Sequence, residues 1–169
     1  MNKIYPLFFV VILAIALFSC EENNITAKQY HDEVYNSVDT VVKYIFVLDN
    51  DLRAKSKQSE TSYNRLLGLT NDNIKFVEDK GAYESKDDKM QKASLEILRY
   101  YKTYTEKDFK AALDIVKKDS NSMTDENQVL DIINQFYDGE SKYLDVFKKE
   151  SYDFGDRYKI YKAPKSKKN

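Results

Sequence analysis

Residues 26–53 read TAKQYHDEVYNSVDTVVKYIFVLDNDLR, and this stretch decides the fold. Its apolar side chains recur at steps of three and four residues, the spacing of one helix face. They are Ala27, Tyr30, Val34, Val38, Val41, Ile45, Leu48 and Leu52, with Val42 and Phe46 widening the stripe. Thr26 and Gln29 have the spacing of a capping box, so we expect a long amphipathic helix that begins at Thr26.

Two further segments show the same helical spacing rather than the alternation of strands. The second segment follows the polar stretch 56–61 and is expected to end at Lys80-Gly81, a cation in the last turn followed by glycine. Ser85 with Asp88 has the spacing of a cap for the third segment. The register of that segment slips between Tyr104 and Phe109, where Thr105 and Asp108 are candidates for a kink or a new start.

A fourth segment begins at Ser122 or Thr124 and runs past Phe147, with Gly139 and Glu140 interrupting its apolar face. No proline lies between residues 21 and 163, so nothing there forces a helix to break. Four amphipathic segments with short connections predict an all-α fold, an antiparallel up-down-up-down four-helix bundle. We place the bundle domain at 26–162, a tether at 20–25 and a basic tail at 163–169.

The N-terminus has the pattern of an export signal. Lys3 is followed by an apolar run over residues 4–18, about the length of a signal core and short for a membrane span of roughly 20 residues. Leu17-Phe18-Ser19-Cys20 resembles the lipobox of bacterial lipoproteins, although Phe18 is bulkier than the usual occupant of its position. The resemblance implies cleavage after Ser19 of a signal peptide covering 1–19. It also implies lipidation of Cys20, whose acyl chains hold the protein in a bilayer.

The two acidic residues after the anchor, Glu21 and Glu22, resemble the signal that sends some lipoproteins to the outer face of the outer membrane. We therefore expect a lipid-anchored outer-membrane protein, with display at the cell surface favoured over the periplasmic face. The net charge of −1 gives no reason to expect a nucleic-acid partner.

Composition argues against most enzyme classes. His31 is the single histidine and Cys20 the single cysteine, so the chain lacks the ligands of a bundle di-iron site or a Cys/His zinc site. We interpret His31 as a partly exposed structural residue at the edge of the first stripe. Asp49-Asn50-Asp51 resembles the opening of a calcium loop but has Ala54 where such a loop needs glycine. We expect no cofactor, no metal and no catalytic residues.

Two hypotheses for function remain. The first is a lipid-anchored interaction module that binds an unidentified protein or envelope component. The second is a small-ligand carrier with a pocket at the register slip after Tyr104; a carboxylate-based hydrolase is a distant third. The unusual feature is a tyrosine cluster, which is either core packing or a binding patch; its members are Tyr100, Tyr101, Tyr104, Tyr137 and Tyr143.

Overall fold

The computed structural model describes residues 25–84, 87–118 and 122–161, and every regular element in these ranges is a helix. In chain order the elements are α1 (Ala27–Arg53), α2 (Ser59–Lys80), α3 (Lys89–Tyr104), a π-helical turn (Thr105–Phe109), α4 (Lys110–Val116) and α5 (Met123–Arg157). Since α3, the π turn and α4 are continuous, the described residues form four helical segments. The prediction of an all-helical fold is confirmed.

Several features of the sequence lie outside the described residues. They are the predicted signal peptide 1–19, the predicted lipidation site Cys20, the acidic pair Glu21-Glu22, the predicted cap Ser85 and the predicted basic tail 163–169. Helix α3 begins at Lys89 with Asp88 at its N-cap, and residues 87 and 88 are not helical, so the predicted helix start at Ser85 is wrong. Over the described residues no helix has both the length and the apolar character needed to cross a membrane.

The stripe of α1 is the centre of the core. Seven of its eight predicted members are 2% exposed or less: Tyr30, Val34, Val38, Val41, Ile45, Leu48 and Leu52. Leu66 of α2, Leu98 of α3 and Phe136 of α5 belong to the same buried interior and are fully buried. Burying one such side chain contributes about 1.5–3 kcal/mol, so this contiguous interior holds the helices together. As predicted, the Thr26 hydroxyl caps α1 by accepting from the Gln29 N–H at 3.1 Å.

The register slip in the third segment is a π-helical turn and not a break. A π turn adds one residue to the helix, which returns the following apolar residues to the buried face. Tyr101 before the turn and Phe109 at its end are both fully buried. Phe109 lies 5.3 Å from the ring of Tyr104 and 5.1 Å from that of Phe136. Aromatic rings therefore fill the position at which the small-ligand hypothesis places a pocket.

Helices α1 and α5 end in the same way, each with a lysine in the left-handed region where glycine is usual. Lys55 has φ 48° and Lys159 has φ 57°. The Ser56 N–H donates to Asp51 O at 2.8 Å, and the Ile160 N–H donates to Gly155 O at 2.9 Å, which closes both termini as Schellman motifs. The second motif turns the chain back along α5, so that Tyr161 lies against the helix it has just left.

The described chain enters and leaves at one end of the bundle. Ile25 and Ile160 both pack against a second buried cluster, formed by Tyr30, Val34, Met90 and Phe154. Lys55, just beyond the other end of α1, forms an ion pair with Glu126 in the first turn of α5, with 2.9 Å between Nζ and Oε1. The end that carries Ile25 is called the entry end below.

Candidate functional site

A cleft of about 270 Å³ opens beside α1 and α5 near the entry end. Its lining residues are His31, Tyr35, Lys148, Ser151, Tyr152 and Tyr161, and we refer to it as the tyrosine cleft. Small-molecule sites generally start at roughly 300 Å³, so the tyrosine cleft has room for a single ring-sized group. Its polar floor and aromatic rim make it the strongest candidate site in the described chain.

Helical spacing and one turn of backbone build the tyrosine cleft. His31 and Tyr35 are four residues apart on α1, and Lys148, Ser151 and Tyr152 are three and four apart on α5, so each set shares a helix face. The sixth residue, Tyr161, comes from the Schellman turn after α5.

The ring of Tyr161 is seated over a glycine. A Cβ added at Gly155 would lie 2.1 Å from Tyr161 Cε2, so the ring occupies space that any other residue at position 155 would fill. The ring meets the imidazole of His31 edge-on, with centroids 5.6 Å apart. Gly155 is therefore required for Tyr161 to form one wall of the cleft.

Two hydroxyls share one nitrogen on the cleft floor. His31 Nδ1 lies 3.2 Å from Asp32 Oδ1, and a hydrogen bond from Lys28 holds the pKa of Asp32 below its usual range. A carboxylate only accepts, which assigns the imidazole proton to Nδ1 and leaves one lone pair on Nε2. Ser151 Oγ and the Tyr161 hydroxyl lie 2.9 and 2.8 Å from that nitrogen. One of the two hydroxyls donates to His31 Nε2. The other can donate to the first hydroxyl or to an acceptor placed in the cleft.

His31 is more buried than its position at the edge of the stripe predicts. Its exposed fraction is 5%. Phe154 and Tyr35 stack on its ring at centroid distances of 6.1 and 5.9 Å, and Tyr161 closes the edge. The imidazole is therefore fixed in position by three rings and by its hydrogen bonds.

Ser151, His31 and Asp32 have the distances of a nucleophile, a base and an orienting carboxylate. Acyl transfer also needs donors aimed at the developing oxyanion, typically paired backbone N–H groups. Ser151 lies inside α5, where the neighbouring backbone N–H groups are engaged in the helix. Tyr161 also competes for the nitrogen that would accept the serine proton. Ser151, His31 and Asp32 therefore have the spacing of a triad, but the backbone around Ser151 is that of a regular helix.

Lys148 supplies the charge of the tyrosine cleft. It is exposed on α5 and forms no ion pair with the described residues. Two other clefts differ in this respect. A cleft of about 420 Å³ beside Tyr83 contains Lys80, which is paired with Glu33, and one of about 120 Å³ at the far end contains Arg53, paired with Asp49. The tyrosine cleft thus combines an aromatic rim with a cation that is available to a ligand.

The tyrosine cluster predicted from the sequence lies elsewhere, in the contact between α3 and α5. Tyr100 and Tyr104 donate to Phe136 O and Ile132 O, both at 2.7 Å, so their hydroxyls join the helices. Burial raises the pKa of Tyr104 to about 12, which keeps its hydroxyl a donor at neutral pH. Tyr143 stacks on Tyr100 with centroids 4.8 Å apart. Of the two alternatives predicted for the tyrosine cluster, these contacts support core packing over a binding patch.

The polar residues that interrupt the fourth segment have structural roles in this same contact. A Cβ at Gly139 would lie 2.5 Å from the Tyr100 hydroxyl oxygen, so glycine makes room for that side chain. Glu140 is 8% exposed and accepts from the Tyr101 hydroxyl at 2.6 Å. Burial raises the pKa of Glu140, partly offset by that hydrogen bond and by Lys148. Tyr137 donates in the same way to Asp49 at 3.0 Å.

The described ranges contain no cluster of three or more His, Cys, Asp or Glu side chains placed to hold a metal ion. No Asp or Glu side chain lines the tyrosine cleft, whereas Asp125 and Glu126 line the cleft of about 120 Å³ at the far end. Comparisons of the chain with protein-family models, with curated proteins and with solved structures gave no match.

Proposed function

We propose that this protein is a lipid-anchored binding module of the bacterial outer membrane, held in the bilayer by acyl chains on Cys20. The support for the anchor is the lipobox-like sequence Leu17–Cys20 behind an apolar signal core. Two or three acyl chains give stable attachment where one does not. The bundle is the part that meets the partner, a protein or another envelope component.

We infer that the bundle has the antiparallel up-down-up-down arrangement. The Tyr30 hydroxyl donates to Gly81 O at 2.8 Å, which joins the start of α1 to the end of α2. The Ser59 hydroxyl donates to Asp51 O at 3.0 Å and joins the other ends of the same two helices. The ion pair between Lys55 and Glu126 places the start of α5 beside the end of α1. Short connections between such ends are typical of antiparallel bundles.

One observation carries the assignment of a binding role: three exposed tyrosines surround a polar floor and an unpaired lysine. Tyr35, Tyr152 and Tyr161 are 39%, 69% and 57% exposed. Tyrosine is rigid and amphipathic and is enriched in binding surfaces, whereas a solvent-facing helix normally carries charged or small polar residues there. The tyrosine cleft is therefore where we place the contact with the partner.

Photo-crosslinking in intact cells tests this assignment. A benzophenone amino acid replaces Tyr152 at the cleft rim, and in the control protein it replaces Phe76, which is 41% exposed on α2. We expect a discrete crosslinked species from position 152 that disappears when Lys148→Ala is added. Identical products from positions 152 and 76, or products unaffected by Lys148→Ala, would remove the cleft from the proposed function.

The anchor and the surface location need their own experiment. Metabolic labelling with an alkyne fatty acid should mark the wild-type protein and not Cys20→Ala. Protease treatment of intact cells should digest the wild-type protein if Glu21 and Glu22 act as a surface-export signal, and Glu21→Gln/Glu22→Gln should then become protected. Digestion of both forms to the same extent would exclude the role given to these two residues.

A small-ligand carrier is the second candidate, and the volume of the tyrosine cleft favours it. At about 270 Å³ the cleft approaches the size of a small-molecule site, and it replaces the register slip as the position of the ligand. A carrier would bind its ligand in the isolated soluble domain, and the crosslinker at position 152 would then capture no macromolecule.

A further inference from the structure

We propose that the tyrosine cleft recognises a carboxylate attached to a flat aromatic ring. This inference rests on the proposed function, because it names the chemical group that the binding module would hold. The carboxylate belongs either to a free aromatic acid or to the C-terminal aromatic residue of a partner protein. Three properties of the cleft point to this ligand class: its charge, its hydrogen-bond donors and its aromatic walls.

The charge of the cleft fits a monoanion. Lys148 is the cation among the lining residues, and no ion pair with the described chain neutralises it. The nearby carboxylate of Asp32 is already bound by Lys28 and by His31 Nδ1. A cationic ligand would meet Lys148 without compensation, and a doubly charged phosphate would have one counter-charge for two. A single carboxylate matches the lysine.

The hydroxyls of the floor add donors to this charge. Ser151 and Tyr161 compete for the one lone pair of His31 Nε2, so one hydroxyl hydrogen can turn to a ligand oxygen. Burial raises the pKa of Tyr161, so its hydroxyl remains protonated at neutral pH. A carboxylate has two oxygens, one for Lys148 and one for a hydroxyl. Charge-assisted hydrogen bonds of this kind are the strong ones.

The walls fit a ring. Tyr152 and Tyr161 have ring centroids 6.3 Å apart at 52°, and the face of Tyr35 continues the aromatic surface across α1. Aromatic pairs favour offset or edge-on contacts at centroid distances of about 4.5–7 Å, which a ring placed against these walls would make. The volume of about 270 Å³ accommodates one ring with its carboxylate, and the rest of a larger partner would lie outside the open cleft.

Paired probes test the ligand class on the full-length protein in detergent micelles. Nitrogen-edited NMR spectra are recorded with 4-hydroxyphenylacetate and with 4-hydroxyphenylacetamide, which differ in the carboxylate alone. We expect saturable shifts at His31, Ser151 and Tyr161 with the acid at millimolar concentrations, and at least about tenfold weaker binding of the amide. Equal binding of acid and amide, no saturable shift, or shifts centred elsewhere would overturn the proposal.

Lys148→Ala should weaken binding of the acid about tenfold. Lys142 is an exposed lysine six residues earlier on the same helix, and Lys142→Ala should leave the affinity for the acid unchanged. Gly155→Ala should weaken binding by displacing the Tyr161 ring. Equal effects of the two lysine changes would refute the charge argument. Unchanged circular dichroism confirms that each variant is folded.

A second pair of probes separates the two sources of the carboxylate. The tripeptide Gly-Gly-Tyr with a free C-terminus is compared with its amidated form. Tighter binding of the free tripeptide than of 4-hydroxyphenylacetate points to a protein C-terminus, and the reverse order points to a small acid. If the probes fail while crosslinking at position 152 still depends on Lys148, the ligand class is wrong and the binding module stands. If both fail, the proposed function is wrong.

Discussion

The buried pair of Tyr101 and Glu140 gives the sharpest test of the energetics. The phenol of Tyr101 is fully buried, and its hydroxyl donates to Glu140 Oε1 at 2.6 Å. We consider Tyr101→Phe, Glu140→Gln and the double variant. Phenylalanine keeps the ring and removes the donor, while glutamine keeps the shape and an acceptor oxygen and removes the charge. The three variants form a double-mutant cycle across one hydrogen bond.

The expected losses of stability depend on whether the side chain at position 140 is charged or neutral. A hydrogen bond to a charged group contributes about 1.5–3 kcal/mol and a neutral one about 1 kcal/mol. Tyr101→Phe should therefore lower the free energy of unfolding by about 2 kcal/mol at pH 8. In the Glu140→Gln background the same change should cost about 1 kcal/mol, which leaves a coupling of about 1 kcal/mol between the two side chains.

The pH dependence has a definite sign. Burial raises the pKa of Glu140 in the folded protein above its unfolded value. The group therefore contributes its full stability below the unfolded pKa, and that contribution is lost as the pH rises through the folded pKa. Glu140→Gln has no such titration. The variant should be more stable than the wild type at pH 8, and this advantage should disappear in acid.

Urea unfolding followed by far-ultraviolet circular dichroism at several pH values measures these terms. With a slope of about 1–3 kcal/mol per molar urea, a loss of 2 kcal/mol moves the midpoint by about 1 M. The reasoning would be refuted if Glu140→Gln destabilised the protein at pH 8, or if Tyr101→Phe cost the same amount in both backgrounds. The first result would mean that the ionised Glu140 carboxylate stabilises the folded protein. The second would mean that the charge of Glu140 does not strengthen its hydrogen bond with Tyr101.

Three further outcomes are expected. Gly139→Ala should cost about 1–3 kcal/mol in urea unfolding, because its Cβ would lie 2.5 Å from the Tyr100 hydroxyl oxygen, and adding Tyr100→Phe should recover part of that loss. Cys20→Ala should move the protein out of the membrane fraction without changing its helical circular dichroism or its melting transition; a lost transition would mean that the anchor and the bundle are not separable. Ser151→Ala should hydrolyse p-nitrophenyl acetate as fast as the wild type, since the serine lacks an oxyanion site, and a rate that falls with this change would restore an enzyme hypothesis.

The sequence predicted the interior well because helical spacing is a local signal. The stripe from Tyr30 to Leu52 is buried as its spacing of three and four requires. The slip after Tyr104 was also visible in the sequence, but its form was not. Apolar spacing shows that one residue is extra, whereas the choice between a break and a π turn depends on the packing of Phe109 against α5.

The tyrosine cleft could not be predicted from local sequence patterns, because it depends on the reversal of the chain after α5. Lys159 takes a left-handed conformation that its residue type does not indicate, and Tyr161 then packs on Gly155. His31 looked like a residue at the edge of a stripe because two of the three rings that cover it, Phe154 and Tyr161, come from the other end of the sequence. The one available signal was Gly155 inside a helix that is otherwise well formed, since such a glycine often marks a close approach.

The position of the chain's entry and exit has a practical consequence for labelling the protein. A fusion partner or affinity tag joined after Tyr161 would emerge beside the tyrosine cleft and obstruct it, and on a lipidated protein it would also be crowded by the bilayer. An epitope inserted between α4 and α5 would leave from the opposite end, near the ion pair of Lys55 and Glu126. Detection reagents directed to that end should report the protein without disturbing what it binds.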